Sequence, residues 1–482
     1  MTEEASAALP APGSGPIPSA AVRLVSLRLD ALPVGRWHRR VIGVVGLASF
    51  FNFFEVALGT VLMPLLPAPW TATTLDKSLI IGAPFAGEML GALLLSRYAD
   101  RFGRRWMFRV NLIGYAVPAL ACAAAPSATA LIVLRLLVGA GLGAELTLVD
   151  TYLAELMPAA RRGRLMVRSY ALGMLAVPIA GVLAALLPHS LAGLSSWRWI
   201  TLLNALGAVL VWRLCRRLPE SPRWLAERGR TAEALDGVAR IEEQYAIQAG
   251  ERPAPASAEA AAARPGSGDH PGGRQSAEQP TERPEIPRLL SPPLIRRTLL
   301  LFIMQLLDPI GFYGFASIAP LVLMAKGFGV VHSLGYTALT ALGYPLGTLL
   351  LLPLSELIQR RTLTILSTLL TAAAGCAFGM ATATPLVLAA GGLMSVFSVL
   401  HSTVSRAYEA ELFPTAVRNT ALGNGYAVSR LVSAVLPFAA LSLLGALGAT
   451  ALYATCAALL VVLAIAVAAL GPRTNSRRLE DI

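Results

Sequence analysis

Seven ionisable side chains interrupt long apolar stretches of this 482-residue sequence, and these residues are the best placed to do chemistry. They are Glu55, Glu88, Arg135, Glu145, Asp150, Asp308 and Arg430. Charges in an apolar medium are costly, and they are retained for ion pairing, proton transfer or ligand binding. A buried carboxyl group favours its protonated form and can exchange a proton, whereas a guanidinium can hold a carboxylate through parallel hydrogen bonds.

Helical spacing groups some of these residues on common faces. Asn52 and Glu55 are three residues apart, and Gly141 and Glu145 are four apart, so each pair shares one side of a helix. Arg430 lies about 13 residues into its apolar run, too deep for its side chain to reach the membrane surface easily. We therefore expect Arg430 to contact a substrate carboxylate.

The other polar residues in the apolar runs are interpreted as structural. Glu88 and Asp150 are expected to form ion pairs, as is Arg135 with a neighbouring acid, and His401 is interpreted as a packed histidine rather than a proton relay. The four cysteines are scattered without the spacing of metal ligands or a disulfide framework. No nucleophile–base set or phosphate-binding loop is present, so we expect neither an enzyme nor a bound cofactor or metal.

The elements that must position these residues are membrane-spanning helices. The chain is 55% hydrophobic and only 14% charged, with a mean hydropathy of +0.62, whereas a soluble protein carries roughly 25% charged residues. Twelve apolar runs are long enough to span a bilayer, which takes about 20 residues each. The net charge of +12 comes from arginines in short turns between these runs, which argues against a nucleic-acid partner.

An internal repeat divides the spans into two halves. Gly91 to Arg105 ends in a charged turn, and a degenerate copy stands at Gly347 to Arg361. Subtracting 91 from 347 gives an offset of 256 residues, which also pairs Glu155 with Glu411. A constant offset indicates two homologous bundles, as in secondary transporters. The predicted fold is therefore an all-α membrane protein with twelve transmembrane helices in two pseudo-symmetric six-helix bundles.

The arrangement of arginines and polar segments predicts topology and domain limits. Arginines cluster at one end of the spans, which we assign to the cytoplasm together with both termini. The predicted segments are a disordered tail (1–40), the first bundle (41–215), a linker with an amphipathic helix followed by a disordered part (216–296), the second bundle (297–471) and a cytoplasmic tail (472–482).

These motifs together resemble those of the major facilitator superfamily. Gly91, Asp100, Arg101, Gly103, Arg104 and Arg105 match its best-known loop motif, and the segment from Pro219 to Leu225 is similar to the one after helix six of sugar porters. Glu145, Tyr313 followed by Gly314, and Arg430 resemble the organic-ion branch, which includes aromatic-acid and niacin-type transporters. The resemblance covers both halves of the chain.

The resemblance implies roles for particular residues. Substrate binding is expected at Arg430, Asn52, Gln305 and Tyr313, and proton coupling at Glu145, Glu55 and Asp308, on helices that line the central cavity of this fold. A cytoplasmic latch of unlike charges is expected to hold helix ends together in one conformation. Its members would be Asp100, Arg104, Glu155, Arg162, Glu356, Arg360, Glu411 and Arg418. The glycines at 139, 141 and 143 are interpreted as a helix-packing surface rather than a hinge.

The sequence thus predicts a monomeric transporter in the cell inner membrane that takes up a small organic solute, a carboxylate, together with protons. The expected partners are this substrate, protons and the lipid bilayer. Two alternatives remain open at this stage: a proton-driven drug or metabolite exporter, and a membrane receptor that uses the same fold without transport.

The linker provides a first test. Residues 249–285 are rich in Ala, Pro, Gly, Glu and Arg and lack apolar periodicity, so they cannot form a core of their own. Deleting residues 255–280 is expected to leave membrane abundance and initial transport rate within about twofold of wild type, because no packing contact is lost. Uptake by membrane vesicles measures the rate. Normal abundance with lost flux would reveal a binding or regulatory role for the segment.

Overall fold

The computed structural model describes residues 20–143, 145–187, 190–216, 218–249, 294–316, 318–413 and 415–472, which are almost entirely helical. The predicted disordered linker (249–285) and C-terminal tail (472–482) lie outside this part of the chain apart from their first residues. In the first half the helices are α1 (Ala20–Ala31), α2 (Arg36–Val61), α3 (Thr74–Phe102), α4 (Arg104–Ala123), α5 (Ala128–Leu142), α6 (Glu145–Leu156), α7 (Arg162–Met174), α8 (Ala176–Leu186) and α9 (Ser196–Cys215).

The remaining elements continue this pattern. Two helices, α10 (Pro222–Glu227) and α11 (Thr231–Ala249), follow the first half. The second half contains α12 (Ile295–Ala316), α13 (Ala319–Ala325), α14 (Val330–Ala341), α15 (Gly343–Leu357), α16 (Arg360–Met380), α17 (Thr384–Glu411) and α18 (Thr415–Leu470). Three short 3-10 turns (Met63–Leu65, Ala68–Thr71 and Ala159–Arg161) and an antiparallel hairpin of β1 (Ser190–Leu191) and β2 (Leu194–Ser195) lie in connections.

The helices account for the twelve predicted spans. In the described part of the chain, nine helices are long and apolar enough to cross a membrane, and the bent pair α12–α13 makes a tenth. The interrupted pair α5–α6 supplies another. Helix α18 has 56 residues, and at about 1.5 Å per residue it is far longer than one span requires. Gly448, with φ of 82°, divides it into two.

The ends of the spans define two faces of the bundle. We call the side that holds Arg36, Arg104, Arg162 and Arg360 the arginine-rich face, and the opposite side the far face. A turn at Gly103 separates α3 from α4 on the arginine-rich face. Its φ of 102° lies in the left-handed region that glycine adopts without strain.

Glycines bring the helices of the first half into backbone contact. A Cβ atom at Gly139 of α5 would overlap the Pro84 carbonyl oxygen of α3, and one at Gly143 would overlap the Glu88 carbonyl oxygen. Gly141 lies equally close to the backbone of Gly114 in α4. Close approach of this kind maximises dispersion contacts, which stabilise helix association in lipid. The glycine run therefore forms the contact surface among α3, α4 and α5.

The two halves contact each other through paired helices. Near the far face, α3 packs so tightly on α18 that a Cβ at Gly82 would overlap the Ala434 carbonyl oxygen, and α8 meets α14 where Gly181 faces Ala338. Towards the arginine-rich face, Arg406 of α17 donates a hydrogen bond to the Tyr170 hydroxyl of α7. The halves are thus joined on both sides of the bundle centre.

The N-terminal segment differs from the prediction of disorder through residue 40. Residues 20–31 form α1, whose Val25 and Leu29 are fully buried. Arg28 is ion-paired with Glu242 of α11, and Asp30 accepts a hydrogen bond of 2.8 Å from Arg223 of α10. Because these contacts join segments distant in sequence, the composition of the first 40 residues gives no sign of them. Residues 1–19 lie outside the described part of the chain.

The glycine contact surface can be tested by adding a single methyl group. Gly139→Ala is expected to lower the melting temperature of the purified protein by several degrees, because the helices must separate to avoid the Pro84 carbonyl. Gly43→Ala is the matched control, since nothing lies within 4 Å of a Cβ at that position. Equal melting temperatures for the two variants would contradict the close contact.

Candidate functional site

An ion pair between the two halves lies at the centre of the candidate site. Arg430 of α18 and Glu88 of α3 place Nη1 and Oε2 3.0 Å apart. Both residues are buried, with exposed fractions of 5% and 2%. The pair brings together a residue predicted to bind substrate and one predicted to be structural. The carboxylate facing Arg430 in this structure therefore belongs to the protein itself.

Aromatic rings surround this guanidinium. The same Nη1 donates a hydrogen bond of 2.8 Å to the hydroxyl of Tyr313 in α12. The guanidinium carbon lies 4.6 Å from the ring centroid of Tyr426, within the range of a cation–π interaction. Phe85 of α3 packs edge-on against Tyr313, with ring centroids 4.9 Å apart. Arg430 is thus held by two tyrosine rings of its own half, and one of them, Tyr313, predicted to bind substrate, also packs on the first half through Phe85.

Glu55, a predicted proton-coupling residue, is tied to its own half. Its Oε1 lies 3.1 Å from Nη1 of Arg135 in α5, and its Oε2 accepts a hydrogen bond of 2.6 Å from Asn204 in α9. The Arg135 Nε donates to the Ile80 carbonyl oxygen of α3 at 3.0 Å. This network links four helices of the first half. It corresponds to the structural ion pair that the sequence indicated for Arg135.

Glu145, another predicted coupling residue, has a different environment. It begins α6 and is 1% exposed. The predicted substrate-binding residue Asn52 lies beside it, yet neither carboxyl oxygen makes a hydrogen bond of good geometry with the described residues. A buried carboxylate without partners is strongly disfavoured relative to the protonated acid. Unlike Glu55, Glu145 is thus not paired with a cation among the described residues.

The second half holds two further polar pairs. Asp308 of α12, the third predicted coupling residue, lies 3.0 Å from Nε2 of His401. His401 is fully buried, and its Nδ1 also shares a hydrogen bond of 2.9 Å with Thr368. Gln305, predicted to bind substrate, instead donates to Glu409 at 2.7 Å.

Sequence reasoning missed Glu409 and Arg406. Helix α17 continues to Glu411, and Glu409, in its last turn, is buried inside the bundle. Arg406 interacts with Asp150 of the first half and lies over the ring of Tyr170, 4.6 Å from its centroid. A signal was available in the sequence: Arg406 and Glu409 lie on the same helix as His401 and Glu411, which the sequence singles out.

The structure describes the side chains of only some members of the predicted latch. Arg104 and Glu155 lie 3.2 Å apart in the first half, and Arg360 and Glu411 lie 2.9 Å apart at the repeat-related position. Arg162, in contrast, is near Asp30 and Arg223. The side chains of Asp100, Glu356 and Arg418 lie outside the described part of the structure.

Glu220 adds an interaction that the sequence did not suggest. Its carboxylate accepts hydrogen bonds of 3.0 and 3.1 Å from the backbone N–H groups of Arg104 and Arg105, at the first turn of α4. An anion at a helix N-terminus satisfies free N–H groups and complements the helix dipole. Burial raises the pKa of the Glu220 carboxyl, an effect that these backbone hydrogen bonds oppose.

The repeated bundles and their partnered interior charges define a membrane transporter of the major facilitator superfamily, not an enzyme. The sequence model of the family described as sugar (and other) transporter matches residues 37–482, and the chain belongs to that family.

Relatives and solved structures agree with this assignment. The chain is 27% identical over 464 residues to the niacin transporter NiaP of Acinetobacter baylyi, covering 94% of this chain and 98% of that protein. It is 28% identical over 405 residues to the putative metabolite transport protein YyaJ of Bacillus subtilis, covering 84% and 85%. The Escherichia coli xylose transporter XylE, in a partially occluded inward-open conformation, superposes with a TM-score of 0.71 at 17% identity, covering 92% and 100%. This last likeness shows the fold alone.

The Glu55–Arg135 pair can be tested as a structural element. Arg135→Met is expected to destabilise the protein by about 3–5 kcal/mol, because it leaves a carboxylate buried without its cation. Adding Glu55→Gln should recover most of that loss, since the amide oxygen still accepts from Asn204. Thermal melting of the single and double variants measures both effects.

Transport by the double variant decides the role of Glu55. Uptake near the wild-type rate is expected if the pair is structural. Restored stability with lost proton-driven uptake would instead assign Glu55 to coupling.

Proposed function

We propose that this transporter carries a small organic carboxylate across the cell inner membrane by alternating access, driven by protons. The observation that carries the proposal is the buried guanidinium of Arg430 between the two halves, already paired with a carboxylate 3.0 Å away. A site that holds the Glu88 carboxylate has the geometry and charge to hold a free one. A relative covering most of the chain is a niacin transporter, and niacin is an aromatic carboxylate.

The proposed proton carrier is Glu145. It is buried and lacks partners of good hydrogen-bond geometry among the described residues, and it lies next to Asn52. When the site opens to water the carboxyl can ionise, and when the site closes it must regain a proton. A solved structural neighbour is named as a proton:xylose symporter, so the fold accommodates such coupling.

The charged helix ends support the proposed alternation. Arg104–Glu155 and Arg360–Glu411 are partly exposed pairs at related positions of the two halves. Pairs of this kind are worth about 0–1 kcal/mol each, enough to bias two conformations without fixing either. We place the arginine-rich face in the cytoplasm, because positive residues are retained on that side.

Liposomes containing the purified protein test the function directly. Labelled benzoate, nicotinate and xylose are supplied under an inward proton gradient. The two carboxylates are expected to accumulate and to leak out after a protonophore is added, whereas xylose should not enter. Accumulation of xylose without either carboxylate would contradict the assigned substrate class. Carboxylate movement that only dissipates its own gradient would contradict the proton coupling.

Glu145→Gln provides the test of the proton carrier. The amide cannot exchange a proton, so accumulation under a gradient should fall to the level of empty liposomes. Exchange of labelled for unlabelled substrate should persist, because it needs no net proton movement. The control is Asp150→Asn, another acid of the same half, which interacts with Arg406 and should retain accumulation. Wild-type accumulation by Glu145→Gln would exclude Glu145 as the carrier.

A further inference from the structure

The Glu88–Arg430 pair is incomplete for an ion pair buried this deeply. The two residues meet through one close contact, between Nη1 and Oε2. The second carboxylate oxygen of Glu88 and the Nε of Arg430 have no hydrogen-bond partner among the described residues. A guanidinium carries five N–H donors and binds carboxylates best through two parallel hydrogen bonds. Arg430 therefore keeps donors that its present partner does not use.

The two members of the pair belong to helices from opposite halves. Glu88 is on α3 and Arg430 on α18, and these helices also meet closely at Gly82 and Ala434. Relative motion of the halves must therefore stretch or break this contact. An incoming carboxylate that takes the place of Glu88 would satisfy the guanidinium while releasing α3 from α18.

We propose that Glu88 is a built-in competitor that occupies the carboxylate site of Arg430 until a substrate carboxylate displaces it, and that the displaced Glu88 takes up a proton. This inference rests on the proposed function and names the substrate class more narrowly. The rings of Tyr426 and Tyr313, which hold the guanidinium, offer flat apolar surfaces beside the charge. The substrate class is a monocarboxylate on a planar, aromatic body.

The charged groups around Glu88 explain why it would take up a proton once it is displaced. From α2 and α6 it faces the acids Glu55 and Glu145, both of which interact with it electrostatically. From α18 it faces the Tyr426 hydroxyl and Arg430 itself, and the Tyr313 hydroxyl of α12 lies on the same guanidinium. The nearby cation of α5, Arg135, is engaged by Glu55.

Among these neighbours, no other cation could pair with a displaced Glu88. A buried carboxylate without a cation is disfavoured by several kcal/mol, and it is neutralised by protonation. Binding of one substrate anion is therefore accompanied by uptake of one proton at Glu88. Glu145 keeps its proton as long as the site stays closed, so it adds no further proton to this binding step. No covalent bond changes: the proton comes from solvent, and the net charge of the site stays constant.

Benzoate binding to the purified full-length protein tests this competition. Titration calorimetry between about pH 6 and about pH 8 should show a wild-type Kd that rises by up to about tenfold per pH unit, the linkage expected for one bound proton. Benzoate itself remains ionised over this range. In Glu88→Gln the slope should vanish, and affinity near pH 8 should exceed that of wild type by tenfold or more. Proton uptake measured with an indicator dye should fall from about one per benzoate to about zero.

Asp150→Asn is the matched control. It removes another acid of the first half that interacts with an arginine of the second, Arg406, and it should retain the wild-type pH slope and proton uptake. Should Glu88→Gln not fold, Glu88→Asp keeps the charge on a shorter side chain. The weaker competitor should tighten benzoate binding near pH 8 while the slope remains.

The possible results separate the competition from the proposed function. Benzoate binding to wild type and Glu88→Gln with equal affinity and equal pH slope would overturn the competition and leave carboxylate transport standing. Weaker benzoate binding by Glu88→Gln would also overturn the competition, because it would mean that Glu88 helps to hold the substrate. Binding to neither protein would overturn both the carboxylate assignment and the competition.

Discussion

Inside this bundle, a buried charge is stable only when an opposite charge or a hydrogen-bonding group on another helix lies next to it. Hydrocarbon offers no hydrogen bonds or counterions, so an unpartnered charge would destabilise the fold. Arg135 meets this requirement inside the first half, through Glu55 and the Ile80 carbonyl. Among the residues that the structure describes, Arg430 meets it across the boundary between the halves, through Glu88. The first arrangement stiffens a bundle, whereas the second makes the docking of two bundles depend on a charge.

Close backbone packing likewise occurs both within one half and between the two halves. Gly139 and Gly143 hold helices of one half together, and their contacts can persist throughout a transport cycle. Gly82 and Gly181 instead face helices of the other half near the far face. Small residues there let the halves approach without interlocking side chains, so the contact can form and separate without repacking. Contacts within one half and contacts between the halves are thus made by the same residue type.

Much of the fold could be predicted from the sequence because hydropathy and repetition are local or periodic signals. The apolar runs gave the spans, and the constant offset gave two halves. Contacts between distant segments could not be predicted in this way. The pairing of Glu88 with Arg430 depends on how one bundle docks on the other, and that of α1 with α11 depends on the fold of the intervening chain. Glu409 was missed because hydropathy falls before the helix ends.

Helix α1 gives the first half an attachment that the second half lacks among the described residues. Its contacts with α10 and α11 gather these three helices into one platform on the arginine-rich face. Helix α11 has 19 residues, so it is roughly 28 Å long at 1.5 Å per residue. Tyr245, near the end of α11, accepts a hydrogen bond from the Gly35 N–H just before α2. The platform is therefore fastened along its length to the first half, and it must turn with that bundle as one rigid body.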